Sequence, residues 1–75
     1  MFEEIAETAA HLLGISTEDA KKHSKFVDEA EAYYFWDAKR GGKSVIINYE
    51  GEKLVVGSAT SYENLVSAFL SGKRN

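Results

Sequence analysis

The sequence predicts an α+β domain in which two helices precede a three-stranded antiparallel sheet and one helix follows it, in the order α-α-β-β-β-α. Apolar residues recur with helical spacing near both ends of the chain, whereas aromatic and β-branched residues fill its middle. Short glycine-containing turns separate the segments of that middle part. The chain of 75 residues has the length of one domain, which we expect to span residues 1–75.

The first half of the chain predicts two helices. Residues 2–13 carry apolar side chains on one helical face and acids in the first turn, and Gly14 follows as a stop signal. A second helix is predicted over residues 17–31, where Ser16 supplies the N-cap and acids follow it. Its apolar stripe is thin and consists of Ala20, His23, Val27 and Ala30.

The middle of the chain predicts three strands joined as a meander. The aromatic residues 33–36 form the first strand, and residues 39–42 form a basic, glycine-containing turn. The second strand covers residues 45–49 and is apolar on both faces, which is typical of a central strand. After a tight turn at residues 50–52, the third strand covers residues 53–57.

The last helix carries start and stop signals. Thr60 and Glu63 have the spacing of a capping box, in which Thr60 is the N-cap. Apolar residues then recur at helical spacing from Tyr62 to Leu70, and Gly72 ends the helix.

Composition disfavours several kinds of chemistry. The chain has no cysteine, which excludes thiol catalysis and iron–sulfur clusters, and His11 and His23 lie on different predicted helices. A core of this size needs nearly every large apolar side chain, which leaves little volume for a substrate pocket. We therefore expect no enzyme, no cofactor and no metal site. Acids stand where a signal peptide carries lysines, and no apolar run is long enough to span a membrane, so we expect a cytoplasmic protein.

The aromatic strand predicts a protein-contact surface. Alternation places Tyr33 and Phe35 on one face of the sheet and Tyr34 and Trp36 on the other. Because we expect the three short helices to cover one face only, one of these pairs is predicted to stay exposed, close to Arg40, or to be covered by a second copy of the chain. The alternative is that both faces of the sheet are internal. The sequence thus favours a protein-binding module whose partner is another protein or itself.

Nucleic-acid binding is the alternative function. The basic turn carries Lys39, Arg40 and Lys43, and an α-β-β-β-α order with a basic hairpin resembles the layout of double-stranded-RNA-binding domains. Those domains open their last helix with lysines, whereas this one opens with Glu63. A net charge of −3 also opposes a large phosphate footprint, so nucleic acid is the less favoured partner.

The second half of the chain resembles a known family. The residues that carry the resemblance are Phe35-Trp36-Asp37, the basic glycine turn, the run from Val45 to Gly51 and the run from Ser61 to Leu65. Over about residues 33–70 they are similar to the C-terminal part of the SUKH superfamily. Many members of that superfamily are bacterial immunity proteins that bind and neutralise a toxin domain, and others are interaction scaffolds. The resemblance implies an immunity-like, protein-binding function.

Overall fold

The computed structural model describes residues 2–37, 42–57 and 59–75. Within these ranges three helices and four strands form, together with a single 3₁₀ turn at Asp28–Ala30. The helices are α1 (Phe2–Leu13), α2 (Thr17–Lys22) and α3 (Tyr62–Leu70), and the strands are β1 (Ser24–Val27), β2 (Ala32–Trp36), β3 (Ser44–Asn48) and β4 (Lys53–Val56). The strands pair antiparallel in the order β1-β2-β3-β4. The α+β class is confirmed, with four strands where the sequence predicted three.

Helices cover both faces of the sheet. One buried cluster joins α1 and α2 to the first face, and its members are Ile5, Ala6, Ala9, Ala10, Leu13, Ala20, Phe35, Val45 and Ile47. The other cluster joins α3 to the second face, and its members are Val27, Ala32, Ile46, Leu54, Leu65, Val66 and Phe69. The expectation that the helices leave one face open is therefore wrong. β3 is confirmed as a central strand, since consecutive side chains of β3 enter alternate clusters.

The predicted second helix, over residues 17–31, divides into a helix and a strand. α2 ends at Lys22, and His23 leaves the helix with φ −110° and ψ 56°. Residues 24–27 then pair with β2 as β1. The helical stripe from Ala20 to Ala30 offered little apolar area, whereas the strand buries Val27 in the cluster under α3 and pairs its backbone with β2. Long-range pairing therefore outweighed a weak local helical pattern.

The last helix begins one residue later than the capping box indicated. Ser61 is the N-cap, and its side chain accepts a hydrogen bond from the backbone N–H of Asn64 at 3.2 Å. Thr60 instead donates its backbone N–H to the carbonyl of Gly57. At the end of the helix Gly72 has φ +103°, the left-handed conformation expected of a helix stop.

The basic turn predicted at residues 39–42 lies almost wholly outside the described residues, and Lys39 and Arg40 are among those that are not described. The backbone on either side of it is closed by the N–H of Asp37, which donates to the carbonyl of Lys43 at 3.0 Å. None of the helices in the described part of the chain combines the length and apolar character that a membrane span requires.

Candidate functional site

Three aromatic side chains form a connected surface on the side of the sheet that carries α1. We name Phe26, Tyr33 and Tyr49 the aromatic patch. Phe26 is 41% exposed and Tyr49 is 43% exposed, whereas Tyr33 between them is half-buried. The ring centroids of Phe26 and Tyr33 lie 5.1 Å apart, and those of Tyr33 and Tyr49 lie 5.9 Å apart. These are the spacings of favourable aromatic pairs, so the three rings hold one another in place.

Side chains of the core hold the aromatic patch in place. Phe26 stands directly opposite Tyr33 in the β1–β2 ladder, which puts both rings on the same face. The ring of Tyr33 also lies 4.8 Å from that of Phe2 on α1 and 6.3 Å from that of Phe35. Because the rings are already packed, little side-chain freedom is lost when another surface covers them.

A tight turn after β3 positions Tyr49. Asn48 accepts hydrogen bonds through Oδ1 from the backbone N–H groups of Glu50 and Glu52, at 3.0 and 2.9 Å. Its Nδ2 donates to the Glu52 carboxylate at 2.9 Å, which satisfies the side chain of a residue only 8% exposed. Gly51 completes the turn with φ +87°, a conformation that glycine adopts without strain. The turn therefore holds Tyr49 at the surface in a defined place.

Tyr49 stands between two open hollows. A hollow of about 240 Å³ between α1 and the turn is lined by Glu4, Ile5, Thr8, Ile47, Asn48, Tyr49 and Gly51. A second, of about 220 Å³, is lined by Ala30, Glu31, Asn48, Tyr49 and Glu50. Carboxylates thus border both hollows, and no lysine, arginine or histidine among the described residues lines either. The surroundings of Tyr49 are aromatic and acidic.

The hydroxyl of Tyr49 stays protonated at neutral pH. Its hydrogen bond with the side chain of Tyr33 raises the pKa above the ordinary value of 10.0. Desolvation and the negative charge of Glu31 raise the pKa further, because both disfavour the phenolate. Tyr49 therefore presents a neutral ring and hydroxyl to a partner.

The structure separates the four predicted aromatic contact residues. Tyr33 belongs to the aromatic patch, but Phe35 is fully buried under α1 and is corrected to a core residue. Tyr34 and Trp36 are half-buried on the α3 face, where their rings stack 5.5 Å apart. The Tyr34 ring also lies 4.7 Å from that of Tyr62, so α3 covers a side chain that the sequence left as a candidate for exposure.

Of the three predicted basic residues, Lys43 alone lies within the described part of the chain. Lys43 is exposed beside β3, and the predicted contact residue Arg40 lies, with Lys39, outside the described residues. Among the described side chains there is no group of three or more His, Asp and Glu residues placed to hold a metal ion.

Two residues of the aromatic patch were missed from the sequence. The sequence pattern predicts a helix at Phe26, and a helix does not place Phe26 opposite Tyr33. The pattern also predicts that Tyr49 lies in a strand, whereas Tyr49 lies one residue beyond the end of β3. The available signal was the sequence Asn48-Tyr49-Glu50-Gly51, which combines an asparagine and a glycine typical of a turn and therefore places Tyr49 in the turn itself.

Comparison with known proteins adds no relative: no family model, curated protein or solved structure matches the chain significantly. The resemblance of residues 33–70 to the SUKH superfamily therefore stays a prediction from the residues that carry it.

Proposed function

We propose that this protein is a small, non-enzymatic protein-binding module and that the aromatic patch is its contact surface. The observation that carries the proposal is the exposure of Phe26 and Tyr49, at 41% and 43%; among the described residues, Leu70 is the one other exposed large apolar side chain. Preorganised exposed aromatic residues are the usual anchors of protein interfaces, because they bury a large area at a low cost in side-chain entropy.

The carboxylates around Tyr49 favour a partner with basic residues. Glu31 and Glu50 border the hollow on one side of Tyr49, and Glu4 borders the hollow on the other side. A lysine or arginine side chain of a partner that enters the hollow beside Glu31 and Glu50 meets carboxylates and the ring of Tyr49. We therefore infer a partner whose binding segment combines apolar and basic residues.

The proposal extends to the setting in which the module works. We place the module in the cytoplasm, a location with which the absence of cysteine from the sequence agrees. The resemblance to the SUKH superfamily supports an immunity-like role, in which the bound partner is a toxin domain. A basic toxin surface fits the acidic surroundings of Tyr49.

A capture experiment with matched variants tests the proposal. Wild-type protein, Tyr49→Ser and Leu70→Ser are immobilised separately and exposed to an extract of the source organism, and the retained proteins are quantified by mass spectrometry. Leu70 is the matched control, because it is an exposed apolar residue, at 52%, on α3. We expect a basic protein that wild type and Leu70→Ser retain equally and that Tyr49→Ser retains at least about tenfold less, equal to about 1.4 kcal/mol.

Salt provides a second readout of the same experiment. Retention should weaken as ionic strength rises, because Glu31 and Glu50 lie at the surface and their attraction for a basic partner is screened. Equal retention of the same proteins by Tyr49→Ser and wild type, with circular dichroism showing both folded, would contradict the proposal. The absence of any protein that both wild type and Leu70→Ser retain would contradict it as well.

A further inference from the structure

The outer edge of β1 carries unpaired backbone groups. β1 is the end strand of the sheet and pairs with β2 alone. The carbonyl of His23 accepts from Trp36 N–H at 3.1 Å, so His23, Lys25 and Val27 direct their backbone groups toward β2. By the same alternation, Ser24 and Phe26 direct theirs outward. In the described part of the chain no backbone group pairs with these outward groups.

Charges of opposite sign flank this edge. Exposed Lys22 and Lys25 precede Phe26, and exposed Asp28 and Glu29 follow it. Charged residues on an edge strand ordinarily keep it from pairing with another chain. Only Lys25 lies within β1; Lys22 precedes the strand at the end of α2, and Asp28 and Glu29 follow it in the 3₁₀ turn. In a second, antiparallel copy the basic end of this segment therefore lies beside the acidic end of the first. A parallel copy would instead align like charges.

We propose that a second copy of this chain pairs antiparallel with β1 along its outer edge, with Phe26 opposite Phe26 of the second copy. This arrangement extends the sheet across both copies and places the two exposed Phe26 rings side by side on one face. A register centred on Lys25 would instead oppose two lysine side chains. The pairing shares Phe26 with the proposed contact surface, but it rests on the backbone of β1 and its flanking charges and does not involve the hollows beside Tyr49.

Charge reversal tests the pairing. In one variant, Lys22→Glu is combined with Lys25→Glu, and in the other Asp28→Lys is combined with Glu29→Lys. Each variant alone carries like charges on both halves of the edge, so each should remain monomeric in sedimentation equilibrium. An equimolar mixture of the two restores opposite charges and should associate. The control combines Glu7→Lys with Glu63→Lys. It changes the net charge as much as the variant with Asp28→Lys and Glu29→Lys does, at exposed positions on α1 and α3.

The full wild-type chain should show a mass rising from 8.3 kDa toward twice that value as its concentration increases from about 10 µM to about 1 mM. The control should behave like wild type, and Phe26→Ser should associate at least about tenfold more weakly. A wild type that stays monomeric over this range overturns the inference, and so does a mixture of reversed variants that associates no better than either alone. Capture of a different protein by the β1 edge of a monomeric wild type likewise overturns it.

The two proposals fail separately in these experiments. Tyr49→Ser should lose partner capture and keep self-association, whereas the charge-reversed variants report self-association alone. A monomeric wild type that still loses its captured partner on Tyr49→Ser therefore refutes the pairing and leaves the protein-binding function standing.

Discussion

The two outer strands of the sheet differ in whether their outward backbone groups are hydrogen-bonded. At β4 the outward backbone groups belong to Lys53 and Val55, and Asn75 pairs with both residues. Its backbone N–H donates to the carbonyl of Lys53 at 3.1 Å, its Oδ1 accepts from Val55 N–H at 3.0 Å, and its Nδ2 donates to the carbonyl of Val55 at 2.9 Å. At β1 the outward groups of Ser24 and Phe26 have no such backbone partner in the described structure.

The closed edge is held by the segment that follows α3. Arg74 donates to the carbonyl of Phe69 at 2.7 Å, and its guanidinium lies 3.6 Å above the Phe69 ring. These contacts bring Asn75 alongside β4, where its side-chain amide imitates the peptide group of a neighbouring strand. An edge that is not closed in this way is a template for another chain. β1, which carries Phe26 of the aromatic patch, is therefore the edge that remains available for association.

The largest expected effect is a difference in the free energy of unfolding between a substitution inside the sheet and one at its open edge. Phe35→Ala should lower the free energy of unfolding by about 3–5 kcal/mol, because the ring is fully buried under α1 and its removal leaves a cavity. Phe26→Ala, at the 41% exposed position, should cost about 1 kcal/mol or less. Urea denaturation monitored by circular dichroism measures both. Comparable losses in the two variants would mean that Phe26 is a structural residue and that β1 is not a free surface.

An intermediate effect tests the closed edge. Asn75→Ala removes two side-chain hydrogen bonds to Val55 at an exposed site and should cost about 1 kcal/mol. In a domain of this size that lowers the melting temperature by about 4–8 °C. Lys73→Ala is the control, because the Lys73 backbone N–H bond to the carbonyl of Ala68 survives the substitution. Identical melting temperatures for Asn75→Ala and Lys73→Ala would show that the Asn75 side chain does not hold the edge.

A smaller effect concerns the helix that delivers Asn75 to β4. Ser61→Ala removes the side-chain acceptor for Asn64 N–H and should cost up to about 1 kcal/mol. Thr60→Ala should cost only a few tenths, since the Thr60 hydrogen bond to Gly57 uses the backbone. Thermal denaturation of the two variants distinguishes them. A larger loss from Thr60→Ala would place the cap where the sequence alone put it.

The part of the fold that could be predicted is the part set by local patterns. The stripe of α1, its stop at Gly14 and the two-sided apolar pattern of β3 depend on neighbouring residues, and the structure follows them. β1 could not be predicted in the same way. Its four residues, from Ser24 to Val27, include a serine and a lysine with little strand preference. They become a strand because they pair with β2, a contact between separate segments of the chain.

The same limit explains what was missed at the site. Phe26 acquires its role from its position opposite Tyr33, and that register exists only once β1 is paired. Whether both faces are covered also depends on which face of the sheet α3 packs against. The amphipathic pattern of a helix does not specify that face. Tyr33 can be identified from the sequence because it lies in an aromatic strand. Its exposed neighbours, Phe26 and Tyr49, cannot be identified in that way.

The central claim is that β1 has an open edge in the single chain and that a second copy closes it. Amide hydrogen exchange measured by NMR tests this directly, because an N–H group in a ladder is protected and an outward N–H is not. At low protein concentration we expect the Phe26 amide to exchange near the rate of an unfolded chain, while the amides of Lys25 and Val55 exchange slowly. At high concentration the Phe26 amide should become protected and that of Val55 should not change. A Phe26 amide that is already protected at low concentration, or whose exchange does not depend on concentration, would contradict the account.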